Sequence, residues 1–314
     1  MRSYKKCQVS PAISCSFFQD YSLHKSHETL YIPRRPIKPE VEPVTIVAGF
    51  NFNDGILVCT DTKHSGIGAR FAPKISTSAY GNGAKSIMAF SGRSRYARMA
   101  IEDCENLLAA LKDPTLIEME STVRDVLLDL HKKHIFPHPS RGYTGGPDFY
   151  LMLGLWAKDK LNLYVTDETA LDKVPTYECL GTGEYLGRYI ITPRYAGPQM
   201  PLPGVIFTAI TALARIKKYD PDCGGKSQFV VLHKNGEMSY ESDFDISQAE
   251  IFSETFFNYA TSVYTMIADH PLSDADIKMH IEHFFEDINR ARANLRMEKD
   301  RRDALINALT RKKQ

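Results

Sequence analysis

A tight hairpin within residues 44–61 constrains the fold of this chain more than any other stretch. Two β-rich runs, residues 47–52 and 56–59, flank the step Asp54-Gly55. A DG step between such runs is among the strongest short-range hairpin signals, because glycine accepts a positive φ. The sequence therefore predicts two antiparallel strands joined by a short turn.

Three polar side chains are predicted to meet at the open end of this hairpin. Thr45 begins the first strand and Asp61 ends the second, so antiparallel pairing brings the carboxylate level with the hydroxyl. Lys74 follows Asp61 by thirteen residues, in the step Pro73-Lys74-Ile75, and its cation could enter the same place. Each of these residues alone has an ordinary structural explanation, but their order and spacing together favour a catalytic site.

The chemistry of such a cluster follows from the residue types. A threonine hydroxyl is a weak nucleophile that needs an adjacent base, and an N-terminal threonine carries one in its own α-amine, with a pKa of about 8. The Lys74 ammonium would lower that pKa further, and Asp61 would hold the lysine and the Thr45 hydroxyl in place. An oxyanion needs backbone N–H donors, and Gly92, at the end of the predicted strand 86–91, is a candidate donor with little bulk.

The elements Thr45, Asp54-Gly55, Asp61 and Lys74-Ile75 resemble the N-terminal-nucleophile hydrolases of the proteasome β-subunit-like branch, in a bacterial type that is uncharacterised. The resemblance covers residues 45–240. It implies a threonine-type peptidase that cleaves amide bonds through an acyl-enzyme, with a peptide or protein as substrate and without metal or organic cofactor. It also implies a ring or another homo-oligomer, with an ATPase unfoldase as a further partner, and it gives the glycine of an SG step like Ser91-Gly92 the oxyanion role.

Two later steps also match this family. Gly181-Thr182-Gly183 stands where the family has Gly-Ser-Gly, whose hydroxyl lies near the N-terminal amine. The run 220–225 contains Asp220 and Cys223, where the family has Asp, two residues, Ser and Gly. Thr182 keeps the hydroxyl, whereas the Cys223 thiol is a poorer hydrogen-bond partner than serine. Thr182, Asp220 and Cys223 therefore join the candidate catalytic residues.

The order of predicted elements indicates an α+β fold. After the first hairpin and strand 86–91 come two amphipathic helices, from about 96 to 111 and from about 121 to 134. A second hairpin, a strand at 177–180, helices at 185–191 and 205–218, and a third hairpin with an Asn-Gly turn follow. Paired helices between hairpins exclude a parallel βαβ sheet. Two face-to-face sheets, each covered by a helix pair, would bury all apolar faces, and this four-layer αββα sandwich is also what the family resemblance implies.

Residues 1–43 differ from the rest in composition, being mixed polar and basic and ending in a proline-spaced stretch, which is typical of an extended arm. The arm is a propeptide, a retained extension, or the result of a wrongly chosen start codon. In the last case a GTG codon for Val44 would be the true start, and any other valine codon contradicts this hypothesis. Val44 also stands where self-processing relatives carry glycine, which disfavours autocatalytic cleavage before Thr45.

Residues 241–314 have no counterpart in the resemblance and form a predicted helical C-terminal extension. Aromatic residues such as Phe252 and Phe256 mark one helix, and Ser273 is a candidate N-cap for the next. We expect these helices to cover the sandwich or to serve assembly.

Composition excludes several classes of protein. A formal net charge of +1 disfavours a nucleic-acid partner. The chain contains no run of 18 apolar residues, so neither a membrane span nor a membrane partner is expected. The cysteines lack CxxC spacing, which favours a reducing cytoplasm over a disulfide framework or a zinc site. His131, His134 and His138 are interpreted as a helix end rather than a metal site, because Pro137 interrupts the helix.

The alternative to a peptidase is a non-catalytic structural or interaction subunit with the same sandwich.

Overall fold

The computed structural model describes residues 45–64, 70–139, 147–241, 243–268, 273–290 and 293. Within these ranges the chain forms twelve strands, five α-helices named below, a further helix at residues 274–290 and one π-helical turn. The strands are β1 Val47–Phe52, β2 Gly55–Asp61, β3 Lys63–His64, β4 Arg70–Phe71, β5 Ile75–Ala79, β6 Lys85–Gly92, β7 Phe149–Ala157, β8 Lys160–Asp167, β9 Ala170–Lys173, β10 Tyr177–Leu180, β11 Ser227–His233 and β12 Met238–Tyr240. The helices are α1 Ser94–Ala110, α2 Leu116–Leu130, α3 Glu184–Ile191, α4 Leu202–Tyr219 and α5 Asp243–Ala268, and the π-helical turn His131–Ile135 follows α2.

Two five-stranded sheets carry the fold. The first has the strand order β10-β1-β2-β11-β12 and the second β5-β6-β7-β8-β9, and a separate two-stranded ribbon joins β3 to β4. All of these pairs are antiparallel. The predicted hairpins and the predicted absence of a parallel βαβ sheet are thereby confirmed for the described residues.

The first hairpin closes as its sequence predicts. Phe52 pairs with Gly55, so that only Asn53 and Asp54 form the turn. A Cβ atom at Gly55 would lie 2.4 Å from the carbonyl oxygen of Leu232 in the neighbouring strand. Gly55 does not adopt a positive φ, so glycine is required here by the close approach of β11 and not by the backbone conformation of the turn.

Helix α2 begins earlier than the pattern of apolar residues predicts. Thr115 is its N-cap, and its side chain accepts a hydrogen bond from the Glu118 backbone N–H while the Glu118 side chain accepts one from the Thr115 N–H. This capping box fixes the start at Leu116 rather than at about 121. The helix then presents Met119 and Val123 to the core together with the predicted apolar face.

Three apolar clusters account for the packing. One joins α1 and α2 to the second sheet, with Leu108 and Met119 beside Leu151, and another joins α3 and α4 to the first sheet, with Leu213 beside Phe50. The third cluster contains residues of both sheets, such as Val58 from β2 and Met152 from β7. Since successive side chains of a strand point to opposite faces, both sheets are apolar on both faces.

The first part of the predicted C-terminal extension packs on this body. Ile246 of α5 belongs to the apolar cluster of α3 and α4. The Ser253 hydroxyl donates to the Thr211 hydroxyl at 3.1 Å, and Lys217 pairs with Glu250 at 2.6 Å. Residues 274–290 are helical too.

The arm 1–43 and the tail 294–314 lie outside the described residues. No helix in the described part of the chain is long and apolar enough to cross a membrane.

Candidate active site

The candidate site forms where ends of the two sheets meet. Thr45 precedes β1, and Asp61 is the last residue of β2 in the same sheet, while Lys74 directly precedes β5 of the other sheet. The Asp61 N–H donates to the Ile46 carbonyl at 3.3 Å, which brings Thr45 and Asp61 side by side. The Lys74 N–H donates to the Gln228 side chain of β11 at 3.0 Å, and this bond ties the start of β5 to the first sheet.

Thr45, Asp61 and Lys74 form a closed triangle of hydrogen bonds. The Thr45 hydroxyl donates to Asp61 Oδ1 at 2.6 Å, and Lys74 Nζ donates to the same oxygen at 2.6 Å. Lys74 Nζ also contacts Thr45 Oγ1 directly. The three residues are only 3%, 0% and 2% exposed. Each polar group thus finds its partners within the triangle, as buried polar groups must.

Burial also changes the acidity of the lysine. Removal from water lowers the pKa of Lys74, while the Asp61 carboxylate acts in the opposite direction without cancelling the effect of burial. The ammonium therefore gives up its proton more readily than that of an exposed lysine. Because Lys74 Nζ contacts Thr45 Oγ1, its charge can influence the protonation of the Thr45 hydroxyl.

The second oxygen of Asp61 has a partner that the sequence did not reveal. The Gly224 backbone N–H donates to Asp61 Oδ2 at 2.8 Å. Lys63 holds this loop in place, because its backbone N–H donates to the Gly224 carbonyl at 3.1 Å and its side chain donates to the Pro221 carbonyl. The only sequence signal for this contact was the glycine pair Gly224-Gly225, and Gly225 adopts a positive φ of 75°.

Asp220, Cys223 and Thr182 form a second group beside the triangle. The Cys223 thiol lies 3.6 Å from Asp220 Oδ2 and shares a hydrogen bond with the Thr182 hydroxyl. Burial, followed by the charges of Asp61 and Asp220, raises the pKa of the Cys223 thiol well above its ordinary value. The raised pKa disfavours the thiolate, which is the nucleophilic form of a cysteine. In the described part of the chain, no hydrogen bond joins this group to the Thr45 hydroxyl.

Gly181 lies against the backbone of Thr45, whereas Gly92 lies against Phe149. A Cβ at Gly181, which has φ +102°, would lie 2.1 Å from the Thr45 carbonyl oxygen and 2.8 Å from Ser91 Oγ. Ser91 precedes Gly92, so the end of β6 reaches the neighbourhood of Thr45. Gly92 itself has φ +99°, and a Cβ there would lie 2.5 Å from Phe149 Cα of the adjacent strand. Sequence reasoning singled out Thr182 from its tripeptide, whereas Gly181 is the member in direct contact with Thr45.

The described residues contain no group of three or more His, Cys, Asp or Glu side chains arranged to hold a metal ion. His131 is buried, and its Nδ1 lies 2.8 Å from the Leu127 carbonyl of the preceding helical turn. His134 and His138 lie instead near the ring of Tyr96, at centroid distances of 6.5 and 6.4 Å. The three histidines therefore occupy different surroundings at the end of α2.

Comparison with known proteins relates this architecture to solved structures. No protein-family model matches the chain, and no curated protein matches it. Anbu from Hyphomicrobium sp. strain MC1 superposes with a TM-score of 0.56 at 12% sequence identity, over 73% of this chain and 100% of the Anbu chain. Anbu, described as an ancestral β-subunit, from Yersinia bercovieri gives a TM-score of 0.57 at 12% identity, over 73% of this chain and 99% of its own.

A third structure is the helical assembly of the Anbu complex from Pseudomonas aeruginosa. It matches with a TM-score of 0.56 at 15% identity, over 73% of this chain and 98% of that chain. At such identities the likeness concerns the fold alone. The chain therefore shares the fold of these Anbu structures, one of which is described as an ancestral β-subunit.

Proposed function

We propose that this chain is a threonine-type peptidase of the proteasome family, with Thr45 as its nucleophile. The observation that carries the proposal is the buried triangle of Thr45, Asp61 and Lys74. With an adjacent base, the Thr45 hydroxyl of this triangle can attack an acyl carbon. The resemblance to the proteasome β-subunits implies a peptide or protein as the substrate, and transfer of its acyl group to the Thr45 hydroxyl would break the amide bond.

The proposed reaction uses the α-amine of Thr45 as its base. The amine takes the proton from Oγ1, and Oγ1 forms a bond to the carbonyl carbon of the substrate. The oxyanion then accepts hydrogen bonds from backbone donors, among them the Gly92 N–H. When the C–N bond breaks, the leaving amine receives the proton, and water later hydrolyses the ester on Thr45. Asp61 positions the Thr45 hydroxyl and Lys74. Thr182, Asp220 and Cys223 supply polar groups close to the α-amine.

Two proposals about architecture accompany the reaction. The three apolar clusters support a four-layer αββα order, with one helix pair outside each sheet. The helical assembly described for the Pseudomonas relative supports a homo-oligomer or ring here. The resemblance adds an ATPase unfoldase as a partner, and the spacing of the cysteines favours the cytoplasm as the location. The boundary at residue 240 between a hydrolase domain and a C-terminal extension is part of the same proposal.

The mechanism requires a free amine at Thr45. Val44 precedes it, so a processing event other than glycine-dependent self-cleavage, or a start of translation at residue 44, would have to expose the amine. Intact mass and N-terminal sequencing of the protein purified from its native host test this requirement. A mature chain beginning at Thr45 supports the peptidase, and peptide cleavage should then vanish in Thr45→Ala.

A non-catalytic structural subunit is the alternative. The 3% exposure of Thr45 favours it, because a nucleophile must reach its substrate. An intact chain in which Val44-Thr45 remains joined would contradict the peptidase and support this alternative. If peptides are cleaved by the mature protein but equally well by Thr45→Ala, the nucleophile has been assigned wrongly.

A further inference from the structure

A cavity of about 890 Å³ lies outside the candidate active site. It is bounded by α3, the segment that follows α3, the end of α4, and Phe257 of α5. None of its lining residues contacts Thr45, Asp61 or Lys74. Its volume falls in the range of small-molecule sites in proteins.

The lining of this cavity is strongly basic. It contains Arg188, Arg194 and Arg215 and, among the described lining residues, no aspartate or glutamate. Arg188 is neutralised by Glu178 and Glu184. Neither Arg194 nor Arg215 has a carboxylate partner within salt-bridge distance in the described part of the chain.

Glu254 is the acidic residue whose charge reaches Arg215, but it is engaged elsewhere. It pairs with Lys218, whose hydrogen bond is the largest cause of the lowered pKa of Glu254, with a smaller contribution from Arg215. Lys218 is thereby neutralised. Glu254 therefore offsets the charge of Arg215 only from a distance, and no carboxylate of the described residues forms a salt bridge with Arg194 or Arg215 beside the cavity.

The Arg215 guanidinium is held in a defined orientation. Its Cζ lies 3.5 Å from the centroid of the Phe257 ring, and its Nη1 donates to the Tyr219 hydroxyl at 3.0 Å. Its Nε is buried and has no hydrogen-bond acceptor within the described residues. Nη2 is neither enclosed nor hydrogen-bonded within the described residues, so it is the donor of this guanidinium that a carboxylate or phosphate in the cavity can reach.

Arg194 and the apolar lining complete the arrangement. Arg194 Cζ lies 5.1 Å from the same Phe257 ring, and its Nη1 donates to the Ile190 carbonyl at 2.7 Å. Leu186 and Ile190 supply apolar surface next to these two cations. We propose that this cavity binds a small anionic ligand, whose carboxylate or phosphate pairs with Arg215 and Arg194 and whose apolar body packs against Leu186, Ile190 and Phe257.

Isothermal titration calorimetry of the full-length protein tests the proposal with phenyl phosphate and benzoate as probes. We expect saturable binding of at least one of the two, weakened by added salt, because the attraction is electrostatic. The stronger probe identifies the head group as phosphate or carboxylate. Benzamide, which keeps the ring and lacks the charge, should not bind. Absence of binding by both anions in the millimolar range, or equal binding of benzamide, overturns the proposal.

Variants locate the binding. Arg215→Gln and Arg194→Gln should each weaken the binding of the better probe, Arg215→Gln by at least about tenfold. Arg95→Gln, which changes an exposed arginine on α1 and leaves the net charge the same as in those variants, should bind like the wild type. If Arg215→Gln does not fold, Arg194→Gln, at an exposed position, decides the question. Wild-type affinity in the folded arginine variants would contradict the proposal.

The result of the anion-binding experiments does not depend on whether the protein is a peptidase. Thr45→Ala leaves the cavity untouched and should bind the probes with unchanged affinity. Loss of peptide cleavage therefore says nothing about the cavity, and failure to bind anions says nothing about Thr45.

Discussion

The Thr45 triangle and the arginine cavity handle buried charge in opposite ways. In the triangle, one carboxylate serves a lysine and a hydroxyl, and every polar group has a partner from the chain itself. In the cavity, Arg194 and Arg215 have no carboxylate partner among the described residues, and a buried N–H donor of Arg215 has no acceptor there. The triangle is complete without a ligand, whereas the cavity would gain from one.

The difference predicts where the removal of a single polar group will be costly. Removing one member of a satisfied buried group leaves its partners without compensation, which costs several kcal/mol. Removing a cation that has no counterion costs much less. The four predictions below test this contrast between the two regions.

Asp61→Asn should have the largest effect. It leaves the buried Lys74 ammonium without its counterion, and we expect the free energy of unfolding to fall by about 3–5 kcal/mol. Urea denaturation followed by circular dichroism measures the change. Asp129→Asn removes an exposed carboxylate, which pairs with Lys133 on the surface of α2, and should change the free energy by no more than about 0.5 kcal/mol. Equal losses in the two variants would remove the distinction on which the comparison depends.

Gly181→Ala should follow, because it changes the support of Thr45 without changing any charge. A methyl group would meet the Thr45 carbonyl oxygen at 2.1 Å, at a residue with φ +102°. We expect a loss of about 1–3 kcal/mol from the backbone conformation and the collision, measured in the same denaturation assay.

Two glycines separate the contributions to this loss. Gly83 has φ +86° but nothing within 4 Å of a Cβ, so Gly83→Ala shows the cost of the φ angle alone. Gly81 has open space and no positive φ, so Gly81→Ala should be nearly neutral. If Gly181→Ala costs no more than Gly83→Ala, the close approach to Thr45 is not important for stability.

The pH dependence of stability tests the state of Lys74. Burial lowers its pKa in the folded protein below the unfolded value, so the unfolded chain binds more protons between those two pKa values. Stability contributed by this group therefore rises with pH through that interval, up to the pKa of an ordinary lysine, about 10.4. The difference in unfolding free energy between wild type and Lys74→Met should change with pH in the alkaline range.

Lys133→Met is the control for this measurement, since Lys133 is exposed on the π-helical turn that follows α2. Its difference from the wild type should stay flat over the same alkaline range. A flat difference for Lys74→Met as well would show that the buried lysine keeps an ordinary pKa.

Arg215→Met should have the smallest effect on stability. The substitution removes the stacking on Phe257 and the hydrogen bond to Tyr219, but it also removes a buried donor without an acceptor. These effects oppose each other, and we expect a change in unfolding free energy below about 1 kcal/mol. A loss as large as that of Asp61→Asn would mean that Arg215 is a structural residue, and the contrast between the regions would fail.

Local sequence signals predicted much of the fold. The hairpin around Asp54-Gly55 formed because its turn and its two β-rich runs are encoded within a few residues. The start of α2 was also encoded, in Thr115 and Glu118, although the apolar pattern alone placed it too late. Strands β5 and β9 were not predicted, since β5 consists of half-exposed small and polar residues that pair along the edge of β6.

The candidate site divides in the same way. Thr45 and Asp61 flank one hairpin, so the sequence by itself determined that they would be neighbours. Lys74 arrives from the other sheet, so the packing of the two sheets decided its contact. The Gly224 N–H comes from the loop before β11 and Gly181 follows β10, so the pairing of these distant strands with β2 and β1 decided their contacts. The arginine cavity depends on the packing of three helices. Contacts between residues distant in the chain leave no periodic signal in the sequence, because they depend on how whole elements pack.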